Sequence, residues 1–261
     1  MALIILITSF KGGVGKSTAA ANIASKLARS GKRTLLCDLD FDLGTLDLIT
    51  GCEDRVLFDV CDAVSGRRDA DDCTVKFPSN PNLFLLPAPF KITDAVEPEK
   101  FAEKLKEICD KYDYAILDTP GADSPALSAA KTFSDLAIVV STHNPTSIRG
   151  AEKTAESLRE NGVECRLLIN CFDAASVSED RRAGILSMID ATKTPLLGVI
   201  PYDRTLMFAQ EKGVLADGGE FISSKAFDNT VQRLLCRESG ERPTPILRGV
   251  GKVKRKKVLT K

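Results

Sequence analysis

The chain contains no tryptophan and only one histidine, His143. Imidazole metal sites and histidine-based triads are therefore almost excluded by supply alone. His143 ends the apolar run LAIVVS and reads as a strand-end residue rather than a base. No apolar run reaches the roughly 18–20 residues that a bilayer-spanning helix needs. Eight cysteines are present, yet none forms a C-x-x-C pair. That removes the usual spacing of thiolates that bridge a metal cluster. Several cysteines sit inside apolar runs (LLCDL, LLINCF), where a thiol behaves as a small hydrophobe. With no secretory leader ahead of them, the expectation is a reduced, cytoplasmic protein. Acid is missing from one segment only. Residues 248–261 hold seven of the 36 Lys and Arg and no Asp or Glu, leaving residues 1–247 with 29 bases against 36 acids. An acidic body with a basic tail suggests an interaction arm.

What the chain does have is alternation. Short apolar runs at 3–8, 33–38, 83–87, 114–118, 136–141, 165–170 and 196–200 read as strands. Between them, helical patterning falls near 17–29, 55–64, 98–111, 123–132, 147–160, 178–190, 204–212 and 221–236. This order predicts an α/β fold, a doubly wound and mostly parallel sheet with ligands at the C-terminal ends of its strands. The 261 residues form one domain, 1–238, followed by a tail, 239–261, rich in proline, glycine and charge.

The first strand runs into K-G-G-V-G-K-S-T, residues 11–18, and then into a helix. Strand, glycine loop, helix is the setting in which a phosphate-binding loop is credible. Its glycines, Gly12, Gly13 and Gly15, let the backbone around Val14 curl so that N–H groups face phosphate oxygens. The helix N-terminus adds positive partial charge. Lys16 reaches the β- and γ-phosphates, and the Ser17 hydroxyl completes a Mg²⁺ shell. The strict pattern G-x-x-x-x-G-K-[ST] fails at one place, where Phe10 stands. The strand YAILD ends on Asp118, placed as an acid that holds Mg²⁺ through its waters. A second strand end, LLCDLDFDLGTLD, gathers Asp38, Asp40, Asp42 and Asp47, whose mutual repulsion calls for Mg²⁺ or a positioned water. An EF-hand is excluded because Gly44 falls one place late and Ile49 stands at the twelfth position. No N-K-x-D guanine motif is present; the matching strand end reads NCFD.

The extra lysine ahead of the glycines, Lys11, makes this loop resemble the deviant Walker A motif of the MinD/ParA ATPases. DLDFDLGTLDLITGCEDRVLFDV resembles that family's first switch, and LFLLPAP, LDTPG, GVIPYD and VQRLL follow in matching order, from Met1 to about Pro243. The resemblance implies an ATP hydrolase that uses ATP and Mg²⁺, forms a homodimer on ATP and turns over slowly without an activator. It implies that Lys11 reaches across to the partner's phosphates and that Thr18 joins the nucleotide site. It further implies that Asp40 orients the attacking water, that Asp38 and Asp118 support the metal, and that Asn170, Pro201 and Tyr202 border the adenine. Gly44 and Thr45 stand where members often carry larger polar residues.

Two branches of the family compete as functions. One cycles on and off the membrane to position cell division or another polar machine, with a MinE-type activator and a MinC-like effector. The other, the partition or flagellar-number branch, acts on nonspecific DNA or a protein partner. The switch-region resemblance favours the first. In the tail, Ile246, Val250 and Val253 share a helical stripe, and Lys252, Lys254, Arg255, Lys256 and Lys257 suit anionic headgroups. Gly249 and Gly251 weaken such a helix, and a simple basic arm is the alternative. The first reading implies a cytoplasmic protein, peripheral on the inner face of the cell membrane. A metal-cluster carrier with the same loop is disfavoured by the lack of C-x-x-C.

Overall fold

The computed structural model of the chain describes residues 1–90, 97–179 and 181–239, with side chains as far as Arg237. In chain order the elements are β1 (Leu3–Thr8), α1 (Lys16–Arg29), β2 (Thr34–Asp38), α2 (Leu46–Thr50), α3 (Val60–Ser65), α4 (Ala70–Cys73), β3 (Val75–Phe77) and β4 (Asn80–Leu86). They continue with α5 (Pro98–Cys109), β5 (Tyr114–Asp118), α6 (Pro125–Lys131), β6 (Leu136–Ser141), α7 (Pro145–Glu160), β7 (Cys165–Phe172), α8 (Ala174–Ser178), α9 (Ile185–Thr192), β8 (Leu196–Pro201), α10 (Arg204–Gln210) and α11 (Ser224–Ser239). The expected tail, 239–261, lies outside the described residues from 240 onward.

The eight strands form one sheet in the order β3-β4-β2-β5-β1-β6-β7-β8, parallel except for the antiparallel β3–β4 pair at one edge. The chain leaves β1 towards β2, returns to place β5 against β1, then crosses to β6 on the other side. That reversal is the crevice where doubly wound sheets bind ligands, and β1 feeds the glycine loop into it.

Both faces of the sheet are covered, which explains the unbroken apolar runs. Along β1, Ile5 and Ile7 point into a core under α1, α2, α10 and α11, while Ile4 and Leu6 point into a second core under α3, α5, α6 and α7. A smaller cluster joins β7 and β8 to α8 and α9. Proline in the first turn starts α5, α6 and α7, where its missing N–H costs nothing.

Several boundaries differ from the sequence reading. The helix expected over 55–64 begins only at Val60, because Asp59 caps it. The Asp59 carboxylate accepts from the N–H of Cys61 and Asp62, and the Asp62 side chain returns a bond to the N–H of Asp59. Of the helix expected over 178–190, only the part from Ile185 is helical, as α9; Ser178 ends the separate short helix α8. The edge strand β3 and the short helices α2 and α4 carry too few residues to show a period. Six of the eight cysteines are buried; Cys171 is exposed and Cys236 half-buried, and none is in a disulfide. Among the described residues no helix is long and apolar enough to cross a membrane.

Candidate functional site

The glycine loop closes over the end of β1 and delivers its last glycine to the head of α1. Gly15 has φ +87° and ψ 38°, a left-handed conformation that side chains resist. A Cβ there would stand 2.2 Å from Nδ2 of Asn170. Val14 is a buried peg in the core below, and its carbonyl accepts a 2.9 Å hydrogen bond from Nδ2 of Asn170. The first turn of α1 carries no acidic residue and no side-chain cap. Its orphan N–H groups and partial positive charge are thus open to an anion supplied from outside.

The two lysines of the loop face different surroundings. Lys16 is 8% exposed. Burial lowers its pKa, while the charges of Asp118 and Asp40 pull it back up. Lys11 is exposed, and among the described residues it takes part in no ion pair. The residue before it is tied to α7, and Lys11 itself packs on Gly150 of that helix. The Phe10 N–H donates to Oγ1 of Thr154 at 2.9 Å, and a Cβ on Gly150 would lie 3.1 Å from Cβ of Lys11. The segment after β5 lies on the other side of the loop. A Cβ on Gly121 would be 3.2 Å from the nitrogen of Gly12 and 3.3 Å from Nζ of Lys16. Thr119 donates to the carbonyl of Ile7 at 2.9 Å, fastening that segment to β1.

Asp118 and Asp40 act on Lys16, and Asp38 stands beside Asp118. Asp38 and Asp118 are direct partners in the register of β2 and β5, and each is 1% exposed. Asp38 is engaged by the loop that follows β2. Its oxygens accept from the N–H groups of Asp40, Thr45 and Leu46, each at 3.0 Å. Burial pushes its carboxyl up to about 6 against those bonds. Asp118 has both oxygens buried without a hydrogen-bond partner. Burial, then the Asp38 charge, pushes it up to about 8, and the nearby Ser17 hydroxyl and Lys16 oppose this without reaching bonding geometry. Asp40 is half-exposed, with Oδ1 accepting from the Leu43 N–H at 3.3 Å and its carbonyl from Gly44 at 2.8 Å.

Two orphaned carboxylate oxygens beside a serine hydroxyl fit a hard divalent cation. Mg²⁺ takes oxygen ligands and keeps several waters. Among the described residues no cluster of three or more His, Cys, Asp or Glu groups could cage a metal alone. Such an ion would complete its shell with phosphate and water. Asp38, with its oxygens already bonded to backbone, shapes the switch loop and raises the proton affinity of Asp118.

The residues expected at the base lie beyond Thr18. Thr18 donates from Oγ1 to Oε1 of Gln210 at 3.1 Å, tying the loop helix to α10. Pro201 and the exposed Tyr202 stand at the end of β8, where the Tyr202 N–H donates to the carbonyl of Phe172. Asp203 caps α10 through the N–H groups of Thr205 and Leu206 and holds Ser223 at 3.0 and 2.7 Å. Asn170 borders this region yet spends its amide on the loop. His143 is buried against Phe172, and its Nε2 accepts from the Asp173 N–H at 3.4 Å, a strand-end role. Sequence reading missed Gln210, Thr154 and Gly150. Only Gly150, a glycine inside a helix, carries a signal of close approach.

A left-handed glycine loop opening an uncapped helix, at the reversal of a parallel sheet and beside a strand-end acid, defines a P-loop nucleotide-binding protein. Residues 2–165 match the AAA domain family. The chain is 33% identical over 255 residues to the septum site-determining protein MinD of Escherichia coli K12, covering 91% of this chain and 93% of that one. Among solved structures it resembles the MinC:MinD cell division protein complex of Aquifex aeolicus, with TM-score 0.85, 31% identity and coverage of 94% and 98%. It also resembles MinD complexed with Mg-ADP from Pyrococcus horikoshii, with TM-score 0.78, 25% identity and coverage of 90% and 96%. The chain belongs to the MinD family of P-loop ATPases.

Proposed function

We propose that this MinD-type ATPase is an ATP-driven dimerisation switch that uses Mg²⁺ and places a cell-division or other polar machine at the membrane. Bound Mg–ATP supplies the phosphoanhydride that is cleaved. The chain supplies the rest: loop N–H groups and Lys16 hold the phosphates, Ser17 and Asp118 hold the metal side, and Asp40 directs a water. Lys11 is the observation that carries the reading. A lysine packed on Gly150 of α7, exposed and in no ion pair among the described residues, is positioned to meet charge arriving from outside the subunit. Delivered to the phosphates of a second copy, it stabilises the transition state as an arginine finger does, worth about 10³–10⁵ in rate. Turnover by the isolated subunit is then slow, because the trans lysine arrives only with the dimer.

The test separates the two lysines. Lys16→Ala is expected to abolish nucleotide binding, and Lys11→Ala to keep ADP binding while losing both ATP-dependent dimerisation and hydrolysis. Analytical ultracentrifugation with ATP and ADP, paired with phosphate release, reads both. A Lys11→Ala protein that dimerises and hydrolyses normally ends the proposal. A MinC-like effector and a MinE-type activator are the partners this reading supports, since the Aquifex relative was solved with MinC. The same reading implies a cytoplasmic protein that attaches to the inner face of the membrane when dimeric. Binding of the ATP dimer to DNA instead would move the chain to the partition type.

A further inference from the structure

A polar seam ties the helix that leaves the glycine loop to the segment that follows β8. Along α1, Thr18, Asn22 and Ser25 fall in a row on one face. Thr18 donates from Oγ1 to Oε1 of Gln210 at 3.1 Å. Asn22 donates to the carbonyl of Thr18 at 2.8 Å and accepts from the N–H of Ala216 at 2.6 Å. Ser25 donates to the Asp217 carboxylate at 3.0 Å and accepts from Nδ2 of Asn80 at 3.2 Å. A seam of this kind is ordinary structure, and Asn22 and Ser25 each both donate and accept within it. The end nearest the loop is different. Nε2 of Gln210 is buried and has no hydrogen-bond partner.

The backbone that carries this amide is pinned at both ends of its helix. Asp203 caps α10 at its start, and at its end the Gly213 N–H donates to the carbonyl of Gln210 at 3.1 Å. Gly213, at φ +67°, packs so closely on Gly51 that a Cβ would strike the backbone of that residue. With its oxygen held by Thr18, the amide has a fixed orientation. A buried donor without an acceptor costs the free protein stability. Its place explains why such a cost is carried. Thr18 is in the first turn of α1, just beyond Gly15, where open N–H groups face an anion. Pro201 and Tyr202 precede α10 and Gln210 ends it, about 10 Å along the helix axis. The amide is therefore at the phosphate end of the site rather than at the base end.

We infer that Gln210 is a nucleotide-binding residue: Thr18 fixes its oxygen, and its NH₂ donates to an oxygen of the α-phosphate of ADP or ATP. The inference rests on the nucleotide reading given above and extends it to a residue 192 positions from the loop helix it touches. A charge-assisted bond of this kind is worth about 10- to 100-fold in affinity.

The experiment uses the full-length chain, Mg²⁺, and fluorescent-nucleotide competition with ADP and the two diastereomers of ADPαS, in which sulfur replaces one α-phosphate oxygen. Sulfur is a weak acceptor, so one diastereomer lacks the bond. Wild type is expected to bind that diastereomer about 10- to 100-fold more weakly than ADP. Gln210→Met keeps the reach of the side chain and removes both polar atoms, while the Thr18 hydroxyl can turn to a carbonyl of its own helix. This variant is expected to bind ADP as weakly as wild type binds the poor diastereomer, and to lose the preference for oxygen over sulfur. Urea unfolding of the nucleotide-free protein supplies a second sign. Removal of an unpaired buried amide is expected to leave the midpoint unchanged or higher. A Gln210→Met protein that binds ADP as wild type does overturns the contact. So does one that binds ADP weakly with a lowered midpoint and its oxygen preference intact, which is what a purely structural seam gives. Wild type that binds no ADP would instead strike the nucleotide reading itself, so the two failures are distinct.

Discussion

Asp118 is the residue whose chemistry is most exposed to test. Its ordinary pKa is 3.8, and the fold raises it to about 8. A carboxyl whose pKa is higher in the folded state binds more protons there. Its contribution to stability is therefore fully present below pH 3.8 and is lost as pH rises towards 8. Asp38, raised to about 6, adds the same sign over a narrower window. Asp203, whose pKa is lowered by its bonds to Ser223, Leu206 and Thr205 despite burial, has the opposite sign and acts only as pH falls below about 4. Nucleotide-free protein is thus expected to lose stability between pH 5 and pH 8, followed by thermal or urea unfolding. Asp118→Asn is expected to flatten that slope and to stabilise the free protein at pH 8 by about 1–3 kcal/mol, the cost of a buried group left without a partner. The same variant is expected to bind Mg–ADP more weakly. In the wild type, Mg–ADP is expected to raise Tm more at pH 8 than at pH 6, where a proton must first leave Asp118. A variant with unchanged slope would mean that Asp118 is not the strained group.

The elements show where sequence reading succeeds and where it stops. β1, β2, β5, β6, β7 and β8 were legible because two covered faces demand apolar residues at every position. The glycine loop was legible because its eight residues are contiguous. What a neighbour 156 or 192 positions away does to that loop was not. Asn170 is the clearest case. The family resemblance implied a place beside adenine, and the structure shows its amide fastening Val14. The two roles separate experimentally. If Asn170 acts through the loop, Asn170→Ala weakens ADP and GDP equally, by roughly the 1–3 kcal/mol of an unmade buried hydrogen bond. If it reads the base, the variant loses preference for ADP over GDP while overall phosphate affinity changes little. Fluorescent-nucleotide competition measures both numbers on one protein. Gly15 admits a simpler prediction. Its φ of +87° and the 2.2 Å approach of Asn170 leave no room for a methyl group, so Gly15→Ala is expected to displace the loop. ADP binding falls below detection while the sheet remains folded, as circular dichroism would report.

At the scale of the whole molecule, charge is divided between an acidic body and a basic end. The seven bases of residues 248–261 have no acid among them to neutralise them. On an anionic bilayer each contributes about 1 kcal/mol near the surface, but a single tail with glycines at 249 and 251 holds weakly. Dimerisation on ATP, as proposed above, would bring two tails into one particle, and linkage of two weak contacts would gain about 10²–10⁴ in avidity without any new contact. Attachment would then follow the nucleotide. The protein to use is Asp40→Ala, expected to hold its ATP dimer because the attacking water loses its guide. With anionic vesicles it is expected to pellet in ATP and to stay in solution in ADP. Truncation after Pro245 is expected to abolish pelleting while leaving the dimer intact in the ultracentrifuge, and raised salt is expected to weaken it because exposed charges are screened. Pelleting that survives truncation would move the membrane contact from the tail to the folded domain. A dimer that forms on ATP and never pellets would separate the switch from the membrane, and DNA would become the surface to test next.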